Sequence, residues 1–169
     1  MDLKGLKKES EKKLGLGIVF GEGPSNARVM IIAEGPGETE IKLKRPFVGR
    51  AGKFLDKILK KNKLERKKIY ITSVLKTLPD KITKKEIKKQ EQILQKQIKI
   101  IKPKVIVLLG NLALATVLNL SSVTRYHGEV IKKEGLTYFP TFHPAAAMRF
   151  PKIRKQFEND FKRISKIVH

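Results

Sequence analysis

Three side chains in this sequence, Glu34, Phe47 and His143, have the types and settings to do chemistry together. Glu34 opens the turn Glu34-Gly35-Pro36-Gly37, directly after the apolar run Val29 to Ala33. A chain leaving a strand this way presents backbone N–H groups and a carboxylate at the carboxyl end of a sheet, where open α/β sheets bind ligands. The turn lacks the Lys-Ser/Thr of a P-loop and the GxGxxG spacing of a dinucleotide site. Its acids Glu34, Glu38 and Glu40 would repel phosphate, so a carboxylate here suits orienting water or stabilising a cationic sugar; a plain structural turn is the competing reading. Phe47, in Arg45-Pro46-Phe47-Val48-Gly49-Arg50, is either a stacking platform for a planar base or a cap on the core. Arg45, Arg50 and the helix start beside them suit DNA phosphates.

His143 follows the apolar run Thr137 to Phe142, on the same sheet edge as the first turn. Alone it reads as structural. Its neighbourhood, Pro144 to Pro151, puts Ala147, Met148, Arg149 and Phe150 on a small-residue loop. Apolar tips beside a cation suit a wedge entering a duplex while Arg149 touches a phosphate; an ordinary Ala-rich helix start is the alternative.

The elements that must position these residues alternate. Strands are expected at Arg28 to Ala33, Ile69 to Leu75, Lys104 to Leu109 and Thr137 to Phe142, all short and apolar as buried parallel strands are. Residues 34–48 are expected as loop and basic segment. Helices are expected from Gly49 or Arg50 to Lys61, from Thr83 to Ile101, from Gly110 to Leu118 and from Ile153 to Val168. Thr83 with Glu86 has the spacing of a capping box. Residues 1–14 form a short basic helix or a frayed tail, and a hairpin is expected around Val130 to Leu136. This pattern predicts a single α/β domain over 1–169, a three-layer αβα sandwich around a four-stranded parallel sheet.

Charge is the strongest global signal: 38 Lys and Arg against 16 acids, a formal net charge of +22. Such a surface suits a polyanion through counterion release. Lys-rich, Ile-rich composition also marks thermophile proteins, but those usually balance Lys with Glu. The absence of cysteine excludes disulfides, thiolate nucleophiles and cysteine-held metal. His127, His143 and His169 lack metal-ligand spacing, so neither metal nor cofactor is expected. No apolar run is long enough to cross a membrane and the first residues lack a signal-peptide core, so a cytoplasmic, nucleoid-associated monomer is expected.

In combination these motifs resemble the uracil-DNA glycosylase superfamily, and most closely its family 4. The resemblance rests on the Gly21 to Gly23 turn, Glu34 to Glu38, Arg45 to Gly52, Tyr70-Ile71-Thr72, Leu109-Gly110 and Phe142 to Ala145 with Arg149, in the family's order. It implies an enzyme of base-excision repair that flips a deaminated base out of DNA and hydrolyses its glycosidic bond. By position, it implies Glu34 as the water-positioning acid and His143 as donor to the departing base. Phe47, Gly35, Glu40 and Ser73 would line the base pocket, with Arg45, Arg50, Ala147, Met148 and Arg149 on DNA.

Three departures accompany the resemblance. The family's Asn that reads the Watson–Crick edge of uracil is Ser73 here, and a hydroxyl cannot make an amide's paired donor–acceptor contact. Hypoxanthine or xanthine therefore stands beside uracil as a substrate, and a non-catalytic nucleic-acid binder on the same scaffold is a further alternative. A lyase acting through a lysine Schiff base has no lysine marked out for it by local pattern. The four cysteines of the family's [4Fe–4S] cluster are missing, two of them aligning with Thr77 and Gln90; packing and salt bridges would have to hold those segments. The loop after His143 carries Ala147, Met148 and Phe150 where leucines and an asparagine are usual.

Overall fold

A computed structural model describes residues 1–169. Its sheet has five strands: β1 (Val29–Ala33), β2 (Ile69–Ser73), β3 (Val105–Leu109), β4 (Ile131–Lys133) and β5 (Leu136–Thr141). They lie in the order β2-β1-β3-β5-β4. The first four are parallel, as expected. The fifth, β4, runs antiparallel to β5 at one edge, with Ile131 opposite Tyr138. It extends the expected sheet from four strands to five. The expected hairpin is its origin: Glu134 and Gly135 both take positive φ, 51° and 78°, as a two-residue hairpin turn requires.

Every residue of β1, β2 and β3 is buried, because helices cover both faces. This is why these strands read as continuous apolar runs rather than alternating ones. The helices are α1 (Leu3–Leu14), α2 (Glu38–Leu43), α3 (Arg50–Lys61), α4 (Lys84–Ile101), α5 (Asn111–Leu118), α6 (Val123–Tyr126), α7 (Pro144–Arg149) and α8 (Pro151–Val168). On α3, Leu55, Ile58 and Leu59 form the buried stripe, against lysines on the opposite face. Each such side chain contributes roughly 1.5–3 kcal/mol on burial. Phe157, Phe161 and Ile164 do the same for α8.

The amino-terminal segment is a helix and not a tail. Asp2 caps α1 by accepting from the Gly5 amide at 2.8 Å. Leu6, with Ile18, Phe20 and Ile93, forms a small second core between α1, α4 and the strand-like segment after α1. On α4, Thr83 accepts from the Glu86 amide at 3.1 Å as expected. The other half of the capping box is absent, because the Glu86 carboxylate accepts from Gln90 Nε2 at 2.7 Å instead.

The chain reverses direction across the sheet at β1, which pairs with β2 on one side and β3 on the other. The crevice beyond the carboxyl ends of strands at such a reversal is where ligands bind in open α/β sheets.

Candidate active site

A pocket of about 470 Å³ opens at that crevice. Its lining includes Glu34, Gly35, Glu40, Phe47, Arg50, Thr72, Ser73 and His143. Segments expected to act together from sequence, separated by more than a hundred residues, thus meet at one site.

Glu34 follows β1 directly. Its backbone is tied to the neighbouring strand end, the Glu34 carbonyl accepting from the Leu75 amide at 2.9 Å. Its side chain is exposed to the pocket and makes no hydrogen bond or ion pair with protein, so both carboxylate oxygens face solvent-filled space.

Glu40 has a different part. It lies on α2, where the sequence had suggested loop. Its Oε1 accepts from the Gly37 amide at 3.1 Å, and its Oε2 accepts from the amides of Val48 at 3.0 Å and Gly49 at 2.7 Å. Both oxygens accept from backbone, while Glu40 stays on the pocket lining as expected of a pocket residue. It staples the Glu34 turn to the amino end of α3, and charge-assisted bonds of this kind are about twice as strong as neutral ones.

Phe47 is half-buried, at 5.8 Å from the His143 ring and tilted 31° to it. Its φ of 48° is uncommon for a non-glycine residue. Arg66 over-determines this conformation: Nη1 donates to the Phe47 carbonyl at 2.8 Å and Nη2 to the Pro46 carbonyl at 2.6 Å. Asp56 anchors Arg66 in turn at 2.8 Å. Gly52 completes the arrangement, since a Cβ there would collide with the Phe47 carbonyl group. Arg66 carries no local sequence signal for this task, because its partners lie ten to twenty residues away in the chain.

His143 caps α7. Its Nδ1 accepts from the Ala145 amide at 3.0 Å, which leaves the proton of the neutral ring on Nε2 as a donor. Burial lowers its pKa below the ordinary histidine value. The strand end that carries it is buttressed from behind. Asp160 accepts from Thr141 at 2.7 Å and pairs with His127 Nδ1 at 2.9 Å, while the His127 ring lies 4.7 Å from that of Phe142. Burial raises the Asp160 pKa, against the lowering effects of Thr141 and His127.

Ser73 is buried at the end of β2, and its hydroxyl donates to the Leu75 carbonyl. The hydrogen that could have read a base is therefore turned into the protein.

The residues expected on DNA divide. Arg50, at the first turn of α3, and Arg149 are exposed and unpaired with any acid. Arg45 instead makes a two-pronged pair with Glu22, at 2.6 and 3.0 Å, which holds the Glu22 carboxyl below the usual carboxylate range. Ala147 is fully buried in the main core, so it cannot touch DNA. Exposure falls on Phe150, 48% accessible at the joint between α7 and α8, with the Arg149 guanidinium 5.3 Å from its ring centre. Arg154 braces this joint from α8 by donating to the carbonyls of Ala147 at 3.1 Å and Met148 at 2.7 Å.

Thr77 and Gln90 do not suit an iron–sulfur cluster. Neither is a thiolate, and Gln90 Nε2 donates directly to Thr77 Oγ1 at 2.8 Å. Gln90 Oε1 also accepts from the Lys76 amide. Hydrogen bonds join these segments, beside the expected packing of α1 on α4 and the surface Lys96–Glu9 pair between the same two helices, at 2.8 Å.

Comparison with known proteins agrees with this arrangement. Residues 20–164 match the model of the uracil DNA glycosylase superfamily. The type-4 uracil-DNA glycosylase of Sulfurisphaera tokodaii is 40% identical over 163 residues, covering 89% of this chain and 74% of the relative. That of Archaeoglobus fulgidus is 35% identical over 161 residues, covering 88% and 81%. That of Thermotoga maritima is 39% identical over 138 residues, covering 78% and 72%. Matching that family model over most of its length, the chain belongs to the uracil-DNA glycosylase superfamily.

Proposed function

We propose that this protein removes uracil from DNA by hydrolysing the bond between base and deoxyribose. The observation that carries the reading is a free carboxylate, Glu34, and a neutral imidazole donor, His143, lining one pocket beside an aromatic ring, Phe47. As the glycosidic bond breaks, its electron pair leaves with the base and the sugar becomes cationic. Water oxygen then bonds to the anomeric carbon, and the proton that water loses neutralises the departed base. Glu34 orients that water and stabilises the cation, while His143 Nε2–H stabilises the base anion through a carbonyl oxygen. Phe47 stacks on the flipped base, and the Gly35 backbone contacts its edge.

Reaching the base requires flipping, which costs a few kcal/mol and least at a mispair. Phe150 and Met148 supply the apolar wedge, with Arg149 and Arg50 on phosphates. A second reading, excision of hypoxanthine or xanthine, draws on the Ser73 hydroxyl being turned towards Leu75.

Duplex and single-stranded oligonucleotides bearing uracil, hypoxanthine or xanthine, treated with the protein and then alkali, test these readings. Strand cleavage at uracil, lost in Glu34→Ala and His143→Ala, is expected. Cleavage at another lesion alone would favour the second reading. Salt-dependent binding with no cleavage at any lesion would overturn both in favour of a non-catalytic binder.

A further inference from the structure

One strongly functional group lies outside the pocket lining. Lys76 is fully buried. Its amino group reaches three acceptors: Thr72 Oγ1 at 2.7 Å, Gln97 Oε1 at 2.9 Å and the Ser73 carbonyl. Three acceptors match the three N–H donors of an ammonium. Two of these partners, Thr72 and Ser73, line the pocket.

No carboxylate faces this amine. From β2 it meets Thr72 and Ser73, and from α4 it meets Gln97. Gln97 in turn donates to the Phe20 carbonyl at 2.8 Å and to the Tyr70 hydroxyl at 3.1 Å. Tyr70, the titratable group in that network, has its pKa raised by burial and stays neutral. A cation without a counter-ion in such a place carries a large desolvation cost. An apolar side chain would avoid that cost, so the position calls for a use.

Resting on the base-excision reading above, we propose that Lys76 is a positioning residue. Its buried amino group clamps Thr72 and Ser73 in the shape the flipped base meets, and its positive charge, unscreened by any acid, favours departure of the base as an anion. The two parts are linked. Loss of a proton would remove the charge and leave two donors for three acceptors, freeing one of the Ser73 carbonyl, the Thr72 hydroxyl and the Gln97 amide oxygen and so loosening the clamp. The same burial that makes the amine useful also makes it titrate low: its pKa is pulled down to about 7 by desolvation. It does not serve as a Schiff-base nucleophile, because its amine is sealed from the pocket.

The test is single-turnover excision of uracil from a duplex, measured from pH 6 to 9 beside binding to the same duplex without uracil. For the wild type, the maximal rate is expected to fall as pH rises through neutrality, while binding to undamaged DNA changes little. Lys76→Met is expected to bind undamaged duplex as the wild type does and to lose the maximal rate about 30-fold, with the alkaline fall abolished. Because the chain has no cysteine, Lys76→Cys can be aminoethylated while unfolded and refolded. That product carries a slightly weaker base, so it should recover activity with the alkaline limb moved to lower pH.

A wild-type rate flat across this range overturns the proposal, whether or not the variants fold. So does a folded Lys76→Met that excises at the wild-type rate, or an aminoethylated protein whose limb does not move. A wild type that binds DNA but releases no uracil overturns the base-excision reading, and this proposal with it.

Discussion

The carboxylate of Glu40 accepts from the backbone amide of Gly49 at 2.7 Å, joining the turn that carries Glu34 to the helix that follows Phe47. The acid side of the pocket and its aromatic side are thus held at a fixed separation by one residue. Glu40→Gln replaces an acceptor oxygen by an NH2 group facing backbone donors. Denaturant unfolding should show a loss of about 1–3 kcal/mol. Excision should fall at least about tenfold, since misplacement of about an ångström is enough to do so.

Glu34→Gln, by contrast, disturbs no bond within the protein. It should leave stability and duplex affinity unchanged and lower single-turnover excision by about 10²–10³. A variant at wild-type rate would remove Glu34 from the chemistry.

His143 gives a signed pH effect. Its folded pKa is depressed by burial, so the unfolded chain binds more protons than the folded one. Its contribution to stability is present above the unfolded value of about 6.5 and is lost as pH falls through the folded value. Protonation would also set an N–H against the Ala145 amide. Thermal midpoints measured from pH 7.5 down to 5 should decline less in His143→Ala than in the wild type.

The two arginines of the Phe47 segment should separate by salt dependence. Arg50→Ala should reduce the slope of log affinity against log salt by about one. Arg45→Ala removes half of an exposed ion pair with Glu22; it should leave the slope largely unchanged and cost no more than about 1 kcal/mol of stability.

Phe150→Ala should slow excision from duplex DNA about tenfold or more and leave a single-stranded substrate almost unaffected, because only the duplex needs a wedge. Ser73→Asn places an amide at a position that lines the pocket. It should raise uracil kcat/KM about tenfold over hypoxanthine and xanthine; equal values would mean that uracil is read elsewhere in the pocket.

What could be read from the sequence followed from local physics. Apolar runs marked β1, β2, β3 and β5, and the stripe of Leu55, Ile58 and Leu59 marked α3, since burial on both faces or one writes itself into spacing. The pocket's corners were also legible, because Glu34 and His143 each follow a strand that ends on the same edge. The short α2 was not, because none of its residues is buried and it leaves no apolar period. Nor were the tasks of Glu40, Arg66, Gln90 and Gln97. A buried polar side chain is stabilised by partners distant in sequence, and residue type alone does not name them. Ala147 misled for a related reason: alanine is small enough to sit in a core or on a loop.

The hydrogen bond from Gln90 to Thr77 has a consequence for the cell. The tie between α4 and the segment that follows β2 is made by atoms present as soon as the chain is synthesised. It requires no iron uptake, no cluster-assembly apparatus and no protection from oxygen. Chelators and mild peroxide, which strip sulfur-ligated iron, should leave its melting transition in place, and the fold should mature equally well in aerobic and iron-starved hosts.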